Sequence, residues 1–320
     1  MLEKLSSIAN TLIEIFFPTG APPENTQHRK IYSWSAFMGY LESLDLAKNW
    51  QKYEEQGFRK CVVFDADGTI WKSDLSRSVI NKLAEEKSLS EKALPHLNEV
   101  LMFFGQQPQK DVSSAKRELG NLFLNGEAFK IGQAKGLKKE EVIGKVLGLW
   151  NYLLADYSIT DLHEHIKGIF NGGFGGDVFM GIKEIAEYLQ NSGFEVYVLS
   201  AGVHQIVEEG VSLAGLSIKC ENVRGIKSTE VNGRIGEEIV PPILDRNGKT
   251  AMANSLCYGR PFIAFGDSVD SFDAGILASA KIAVAVEPER RQAEAAYKMG
   301  YFILDIEKTV DGDNVDIFLP

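Results

Sequence analysis

The feature that most constrains the fold is a series of short apolar runs, the first near residue 61 and the others in the C-terminal half, where they alternate with helical segments. The runs are rich in β-branched residues and are short enough to be buried strands. They occupy residues 61–64, 194–200, 261–265, 282–286 and 301–305, and helices are predicted at 203–213, 249–257, 272–280 and 289–299. Strands that alternate with helices predict a parallel sheet with right-handed crossovers. We therefore expect an α/β fold with a Rossmann-like parallel sheet.

After the first of these strands, about 100 residues of helical texture precede the point near residue 177 where strands and helices alternate again. Apolar residues there recur at helical spacing, no strand-like alternation is seen, and the glycine-rich joint NGGFGG closes the stretch at 171–176. A chain of 320 residues is long enough for roughly two domains. We predict an N-terminal helical extension at 1–58, an α/β core formed by 59–74 and 177–320, and an inserted all-helical domain at 75–176. The pair Asn232-Gly233, between alternating apolar flanks, predicts a tight hairpin within the core.

The charge balance excludes two classes of partner. The 34 basic and 44 acidic side chains give a net charge of -10. Nucleic acids and anionic membranes are bound largely by clustered Lys and Arg, so neither is an expected partner. A small anionic substrate stays compatible with this charge if the site holds a local positive centre.

The ends of the chain and the cysteines bear on location. No window approaches 18 consecutive apolar residues, so no segment is expected to span a membrane. The first 17 residues carry two glutamates and are interpreted as an amphipathic helix rather than a signal peptide. Cys61, Cys220 and Cys257 lie far apart and lack paired ligand spacing, which predicts reduced thiols and a cytoplasmic location.

Polar side chains follow three of the predicted strands. Asp65 and Asp67 come after the first strand, Ser200 ends the second, and Asp267 comes after the strand at 261–265. Ligands of open α/β sheets bind outside the carboxyl ends of the strands, so these residues are expected to meet at one site. Carboxylates are ligands that Mg²⁺ prefers, and Lys249, at a helix start, would be the cation beside a bound anion.

Four sequence segments resemble the motifs of a known family. FDADGT, VLSAG, the lysine of NGKT and AFGDSVDSFD occur in the order of the four motifs of the haloacid dehalogenase superfamily of phosphohydrolases. The resemblance covers 60–74 and 177–306, and the helical insertion corresponds to the cap that this superfamily places between its first and second motifs. DGTIWKSDLSRSVINKL is most similar to the phosphoserine and phosphorylcholine phosphatase branch. The implied activity is hydrolysis of a small phosphorylated metabolite, with an aminoalcohol or amino-acid phosphate favoured.

The resemblance also implies a role for each motif residue. Asp65 would be the nucleophile that forms an aspartyl-phosphate, and Asp67 the general acid and base. Mg²⁺ would be held by Asp65, by the main-chain carbonyl of Asp67 and by Asp267. The residues expected to bind the phosphate oxygens are Thr69, Ser200, Ala201, Gly202 and Lys249.

The fourth motif departs from the family pattern, so the residue that supplies one of the metal ligands is not assigned by the resemblance. The family usually has a second acidic residue four or five positions after the first, where this chain has Ser271 and Phe272. A tight loop after Asp267 would favour Asp270. Counting back from the apolar pair that closes the motif favours Asp273.

The sequence predicts that Trp71 and Arg77 contribute to substrate specificity. Arg77 would meet a substrate carboxylate or else is a solvated helix residue. A quaternary amine would need an aromatic cage. Six aromatics are available for one, although packing of the cap core explains most of them: Trp71, Phe103, Phe104, Trp150, Tyr152 and Tyr157. Two alternative functions are a non-catalytic binding module on the same fold and a phosphotransferase or phosphomutase. The oligomeric state is left open.

Overall fold

The computed structural model describes residues 32–171, 177–287 and 290–305. The predicted amphipathic helix at the N-terminus and most of the predicted glycine-rich joint therefore lie outside the described residues. No helix in the described part of the chain is long and apolar enough to cross a membrane.

The described residues form eight strands, fourteen α-helices and two short 3-10 helices. The strands are β1 (Tyr32–Ser33), β2 (Phe58–Phe64), β3 (Glu195–Val203), β4 (Val223–Val231), β5 (Arg234–Val240), β6 (Arg260–Gly266), β7 (Ile282–Val286) and β8 (Phe302–Asp305). The helices are α1 (Trp34–Ser43), α2 (Leu46–Glu55), α3 (Leu75–Glu85), α4 (Leu94–Phe103), α5 (Val112–Leu124), α6 (Glu127–Ala134), α7 (Lys139–Gly144), α8 (Leu149–Leu153), α9 (Ile159–Asn171), α10 (Met180–Asn191), α11 (His204–Leu213), α12 (Arg246–Leu256), α13 (Ala274–Ser279) and α14 (Arg290–Lys298).

The strands form one sheet in the order β1-β8-β7-β6-β2-β3-β4-β5. β2 pairs in parallel with both β3 and β6, and the β3–β4, β6–β7, β7–β8 and β1–β8 pairs are also parallel. The run from β4 to β8 has the doubly wound strand order, in which the chain reverses direction across the sheet between β2 and β6. The predicted Rossmann-like parallel sheet is confirmed.

β4 and β5 form the predicted hairpin. Asn232 and Gly233 connect them, and both residues have positive φ, 51° and 73°. A two-residue turn of this kind requires left-handed backbone at both positions, which Asn and Gly adopt at the lowest cost. The local sequence therefore accounts for this turn.

The chain divides into two compact units. The helical unit comprises Ile80–Ser158 together with the hairpin segment Ser228–Ile239, and the described part of the other unit covers 32–79, 159–227 and 240–305. In the helical unit, the main-chain N–H of Asp156 donates to the carbonyl of Ile235 at 2.7 Å. This unit therefore includes strand residues, and its boundaries differ from the predicted insertion at 75–176.

The first two helices belong to the unit that holds the sheet. Phe37 of α1 is fully buried, and its ring lies edge-on to Phe265 at 5.8 Å and to Phe302 at 5.6 Å. Trp50 of α2 contacts Phe262 of β6 with ring centroids 5.3 Å apart. The described part of the predicted N-terminal extension thus packs against the strands.

The cysteines differ from the prediction of three reduced thiols. Cys61 of β2 and Cys257, which follows α12, form a disulfide whose Cα atoms lie 5.6 Å apart although 196 residues separate them. Both belong to one buried apolar cluster, so packing of helix on sheet brings together what the sequence separates. Cys220 is free and exposed.

Candidate active site

The predicted strand-end residues meet where the strand order reverses. Asp65 directly follows β2, Asp267 directly follows β6, and the main-chain N–H of Asp65 donates to the carbonyl of Phe265 at 2.9 Å. One carboxylate oxygen from each of Asp65, Asp267 and Asp273 lies within 4.8 Å of the others. Such a crevice at the carboxyl ends of parallel strands is where ligands bind in this class of sheet.

The loop after β2 turns sharply so that it can approach the loop after β6. Gly68 has φ +74°, and its N–H donates to the carbonyl of Trp71 at 2.8 Å. A Cβ at position 68 would overlap the carboxylate of Asp267. Glycine is therefore required there both by the backbone conformation and by the close approach of the two loops.

Lys249 is the buried cation of the cluster. It lies in the first turn of α12, which Asp245 caps by accepting from the N–H of Gly248 at 2.7 Å. Its Nζ donates to Asp65 Oδ1 at 2.5 Å and to Asp273 Oδ1 at 2.7 Å. Burial alone would lower the pKa of Lys249, but the charges of Asp273 and Asp65 outweigh burial and raise it above its ordinary value.

The carboxylates of the cluster are crowded. Burial, followed by the charge of Asp273, raises the pKa of Asp65 to about 8, although Lys249 opposes the shift. Burial and the charges of Asp273 and Asp65 raise the pKa of Asp267 well above its ordinary value. Three carboxylates thus lie together, two of them in contact with one ammonium, and further positive charge would favour the ionised forms of Asp65 and Asp267. Hard oxygen donors in this number fit a divalent cation such as Mg²⁺.

Asp67 has different surroundings from Asp65. Its Oδ1 accepts from the indole Nε1 of Trp71 at 2.7 Å and from the main-chain N of Leu75 at 2.9 Å. Its Oδ2 lies 3.4 Å from the hydroxyl of Ser200. Burial, followed by the charge of Asp74, raises the pKa of Asp67 to about 7. This carboxyl can therefore hold a proton near neutral pH.

The residues predicted to bind phosphate, other than Lys249, lie in the loop after β2 and near the end of β3. Ser200 is buried in β3, and its hydroxyl accepts from the N–H of Gly202 at 2.9 Å. A Cβ on Gly202 would lie 2.6 Å from Ser76 Oγ, so that position needs glycine, while the neighbouring Ala201 is half-buried. Thr69 is fully buried, and within the described residues its Oγ1 has no hydrogen-bond partner. An orphaned hydroxyl beside Asp67 fits an anion that needs a donor.

The structure separates the two candidates for the open metal ligand. Asp273 is fully buried, and its Oδ2 accepts from the hydroxyl of Ser268 at 2.6 Å while its Oδ1 accepts from Lys249. Asp270 instead accepts from Arg291 at 2.7 Å and from Gln292 Nε2 at 2.7 Å. The geometry therefore places Asp273 in the cluster, whereas Asp270 contacts residues of α14 instead.

The two predicted specificity residues have different surroundings. Trp71 is fully buried, and its indole N–H is used by Asp67, so it offers no exposed ring face to a substrate. Arg77 is half-buried, and its main-chain N–H donates to Asp74 Oδ1 at 2.8 Å. In the helical unit, Phe104 is buried and packs edge-on to Phe103 at 5.1 Å, as the core-packing interpretation of these aromatics expects.

Sequence reasoning missed three groups around the site. Ser268 and Gln292 organise the fourth-motif loop, and Ser76 accepts from the N–H of Val203 at 3.1 Å. Ser268 directly follows Asp267, so its position in the motif was an available signal. Gln292 lies on α14, and no local pattern connects it with Asp270.

Comparisons with known proteins bear on the fold. No family model matches the chain, and no curated protein matches it. A protein of unknown function from Bordetella pertussis Tohama I aligns with a TM-score of 0.55 at 16% identity, over 78% of this chain and 99% of its own. A functionally unknown protein from Anaerococcus prevotii aligns with a TM-score of 0.51 at 14% identity, over 77% of this chain and 85% of its own. A structure of a phospho-aspartyl intermediate analogue of phosphoserine phosphatase aligns with a TM-score of 0.44 at 16% identity, over 78% of this chain and 95% of its own. The first two alignments show a shared fold.

Proposed function

We propose that this protein is a Mg²⁺-dependent phosphatase of the haloacid dehalogenase type, which hydrolyses a small phosphorylated metabolite through an aspartyl-phosphate. The observation that carries the proposal is the contrast between two aspartates two residues apart. Asp65 accepts from the Lys249 ammonium within a carboxylate cluster that fits a divalent cation, and both positive charges favour its ionised form, whereas Asp67 Oδ1 accepts from the neutral N–H donors of Trp71 and Leu75. A nucleophile must be ionised and a general acid must hold a proton, so the two roles need these two environments.

The reaction uses the two aspartates in turn. A carboxylate oxygen of Asp65 attacks phosphorus, and the bond from phosphorus to the leaving oxygen breaks with its electron pair on that oxygen. The leaving oxygen takes the proton of Asp67. Water then attacks the phosphorus of the aspartyl-phosphate and gives a proton to Asp67. The bond from phosphorus to the Asp65 oxygen breaks with its electron pair on that oxygen, so phosphate is released and the Asp65 carboxylate is restored.

The other residues position charge. Lys249 and the orphaned hydroxyl of Thr69 would hold phosphate oxygens, with the hydroxyl of Ser200 and the main chain at 201–202, because phosphoryl transfer depends mainly on positioning and electrostatics. Mg²⁺, held by Asp65, Asp267, Asp273 and the main-chain carbonyl of Asp67, would offset repulsion between the nucleophile and the phosphate. The resemblance favours an aminoalcohol or amino-acid phosphate as substrate. The predicted cytoplasmic location stays a prediction.

The test is a panel of phosphate monoesters with Mg²⁺, assayed for free phosphate with wild type and Asp65→Asn. We expect Asp65→Asn and a chelator each to abolish turnover, and acid quenching of the wild type to trap phosphate on the protein. Asp45→Asn is the matched control, because Asp45 is exposed and its left-handed backbone, φ 43°, suits Asn.

Three outcomes would contradict the proposal. Full activity of Asp65→Asn would exclude Asp65 as the nucleophile. A phosphorylated acceptor in place of free phosphate would indicate a phosphotransferase or phosphomutase. Absence of turnover across the panel, with binding retained, would indicate a non-catalytic module.

A further inference from the structure

We propose that Trp71 is a positioning residue for the proton transfer by Asp67: its indole N–H occupies Oδ1 and leaves Oδ2 as the oxygen that carries the transferable proton. This inference rests on the proposed function, in which Asp67 is the general acid. The contacts that support it lie within the unit that holds the sheet.

The donors on Oδ1 determine where the proton can be. Trp71 Nε1 lies 2.7 Å and the Leu75 main-chain N 2.9 Å from Oδ1. An indole N–H and an amide N–H are donors and cannot accept. A proton on Oδ1 would face two other protons, so the neutral carboxyl carries it on Oδ2. The leaving oxygen must therefore approach Oδ2.

The loop holds the indole in this orientation. The carbonyl of Trp71 accepts from Gly68, which returns the chain toward Asp67. On the far side of the ring, a Cβ at Gly210 would lie 3.0 Å from Trp71 Cη2, so the glycine leaves room for the ring. The side chain of Trp71 is fully buried, which restricts its rotamers. A fixed indole and a fixed amide together orient the carboxyl plane.

A purely structural role for Trp71 makes a different prediction from a positioning role. If Trp71 acts through Asp67, its loss affects a substrate in proportion to how much the leaving group needs a proton. An alkoxide needs protonation, and a nitrophenolate does not. Loss of packing alone would reduce turnover of both kinds of substrate to the same extent.

The experiment compares phosphoserine with p-nitrophenyl phosphate in wild type and Trp71→Phe, with Mg²⁺ present. General acid catalysis contributes typically about 10²–10⁴-fold, and we expect Trp71→Phe to lose about 10-fold or more of kcat on phosphoserine but less than about 3-fold on p-nitrophenyl phosphate. KM is expected to be unchanged for both substrates. Trp50→Phe is the matched control, because it shortens a tryptophan that packs on Phe262 away from Asp67.

Two further variants keep the inference testable if Trp71→Phe folds poorly. Benzothienylalanine at position 71 has the shape of Trp without the N–H, and it should reproduce the difference between the two substrates. In an Asp67→Asn background, Trp71→Phe should have no additional effect on phosphoserine, since the two residues act as one unit.

Equal losses on both substrates, or a further loss in the Asp67→Asn background, would overturn the inference. Either result, with turnover that still depends on Asp65, leaves the proposed phosphatase intact. Absence of Asp65-dependent turnover in the wild type contradicts the proposed function itself.

Discussion

The loops that follow β2 and β6 deliver carboxylates to the same site but are built differently. The loop after β2 is compact, with Gly68 at φ +74° and a return contact from its N–H to Trp71. The loop after β6 is longer, and Ser268 closes it by donating to Asp273 at 2.6 Å. Asp270, between them in sequence, is directed instead to Arg291 and Gln292.

This difference shows when spacing along the chain identifies a site residue. In the compact loop, i and i+2 spacing leaves few conformations, so the positions of Asp65 and Asp67 follow from the sequence. In the longer loop, two acidic residues at plus three and plus six are both able to reach the site. The partners on α14 and the contact with Lys249 select Asp273.

The largest effect is expected from breaking the connection between the two loops at Lys249. Lys249→Met leaves buried Asp65 and Asp273 without their cation, and breaking a buried ion pair typically costs about 3–5 kcal/mol. We expect the free energy of unfolding in urea, measured with chelator, to fall by that amount, and Mg²⁺ to restore part of it. Lys48→Met, at an exposed lysine, is the control. Equal stability of the two variants would contradict the assigned role of Lys249.

The next effect is a dependence of stability on pH. The pKa of Asp67 is raised from 3.8 to about 7 and that of Asp65 to about 8. The native protein therefore holds protons that the unfolded chain has lost, and the contribution of these two carboxyls to stability is greatest below pH 4 and decreases as pH rises through 7 and 8. Each carboxyl contributes at most about 1.4 kcal/mol per pH unit.

Urea midpoints with chelator from pH 5 to pH 8 measure this dependence. The urea midpoint of Asp67→Asn should change less with pH than that of the wild type, because one proton-binding group is removed. The contributions of carboxylates elsewhere are common to both proteins, so they cancel in the comparison. Mg²⁺ should also reduce the wild-type slope, since a cation favours the ionised forms. Parallel slopes for the two proteins would show that Asp67 titrates normally.

The smallest effects compare the two acidic residues of the longer loop. Asp273→Asn should raise the Mg²⁺ concentration for half-maximal activity by about 10-fold or more, the scale of residues that hold or orient metal ligands. Asp270→Asn should change it by about 5-fold at most, because a partly exposed ion pair contributes up to about 1 kcal/mol. If Asp270→Asn raised this Mg²⁺ concentration more than Asp273→Asn, Asp270 would instead be the metal ligand.

Much of the fold was predictable because its signals are local. The predicted helix at 203–213 corresponds to α11 (His204–Leu213), and the predicted strand at 282–286 corresponds to β7. The hairpin turn follows from the left-handed preference of Asn232 and Gly233. In contrast, the association of the hairpin segment with the helical unit depends on contacts such as Asp156 with Ile235, which no local pattern predicts.

The sequence by itself determined the α/β class, the strand ends that carry Asp65, Asp67 and Asp267, and the lysine at the start of α12. These follow from periodicity, turn chemistry and motif order, which act over a few residues. Tertiary structure decided that Asp273 joins the cluster, that the indole of Trp71 donates to Asp67, and that Cys61 meets Cys257. Each of these depends on which side chains packing brings together after burial, and that information is spread over the whole chain.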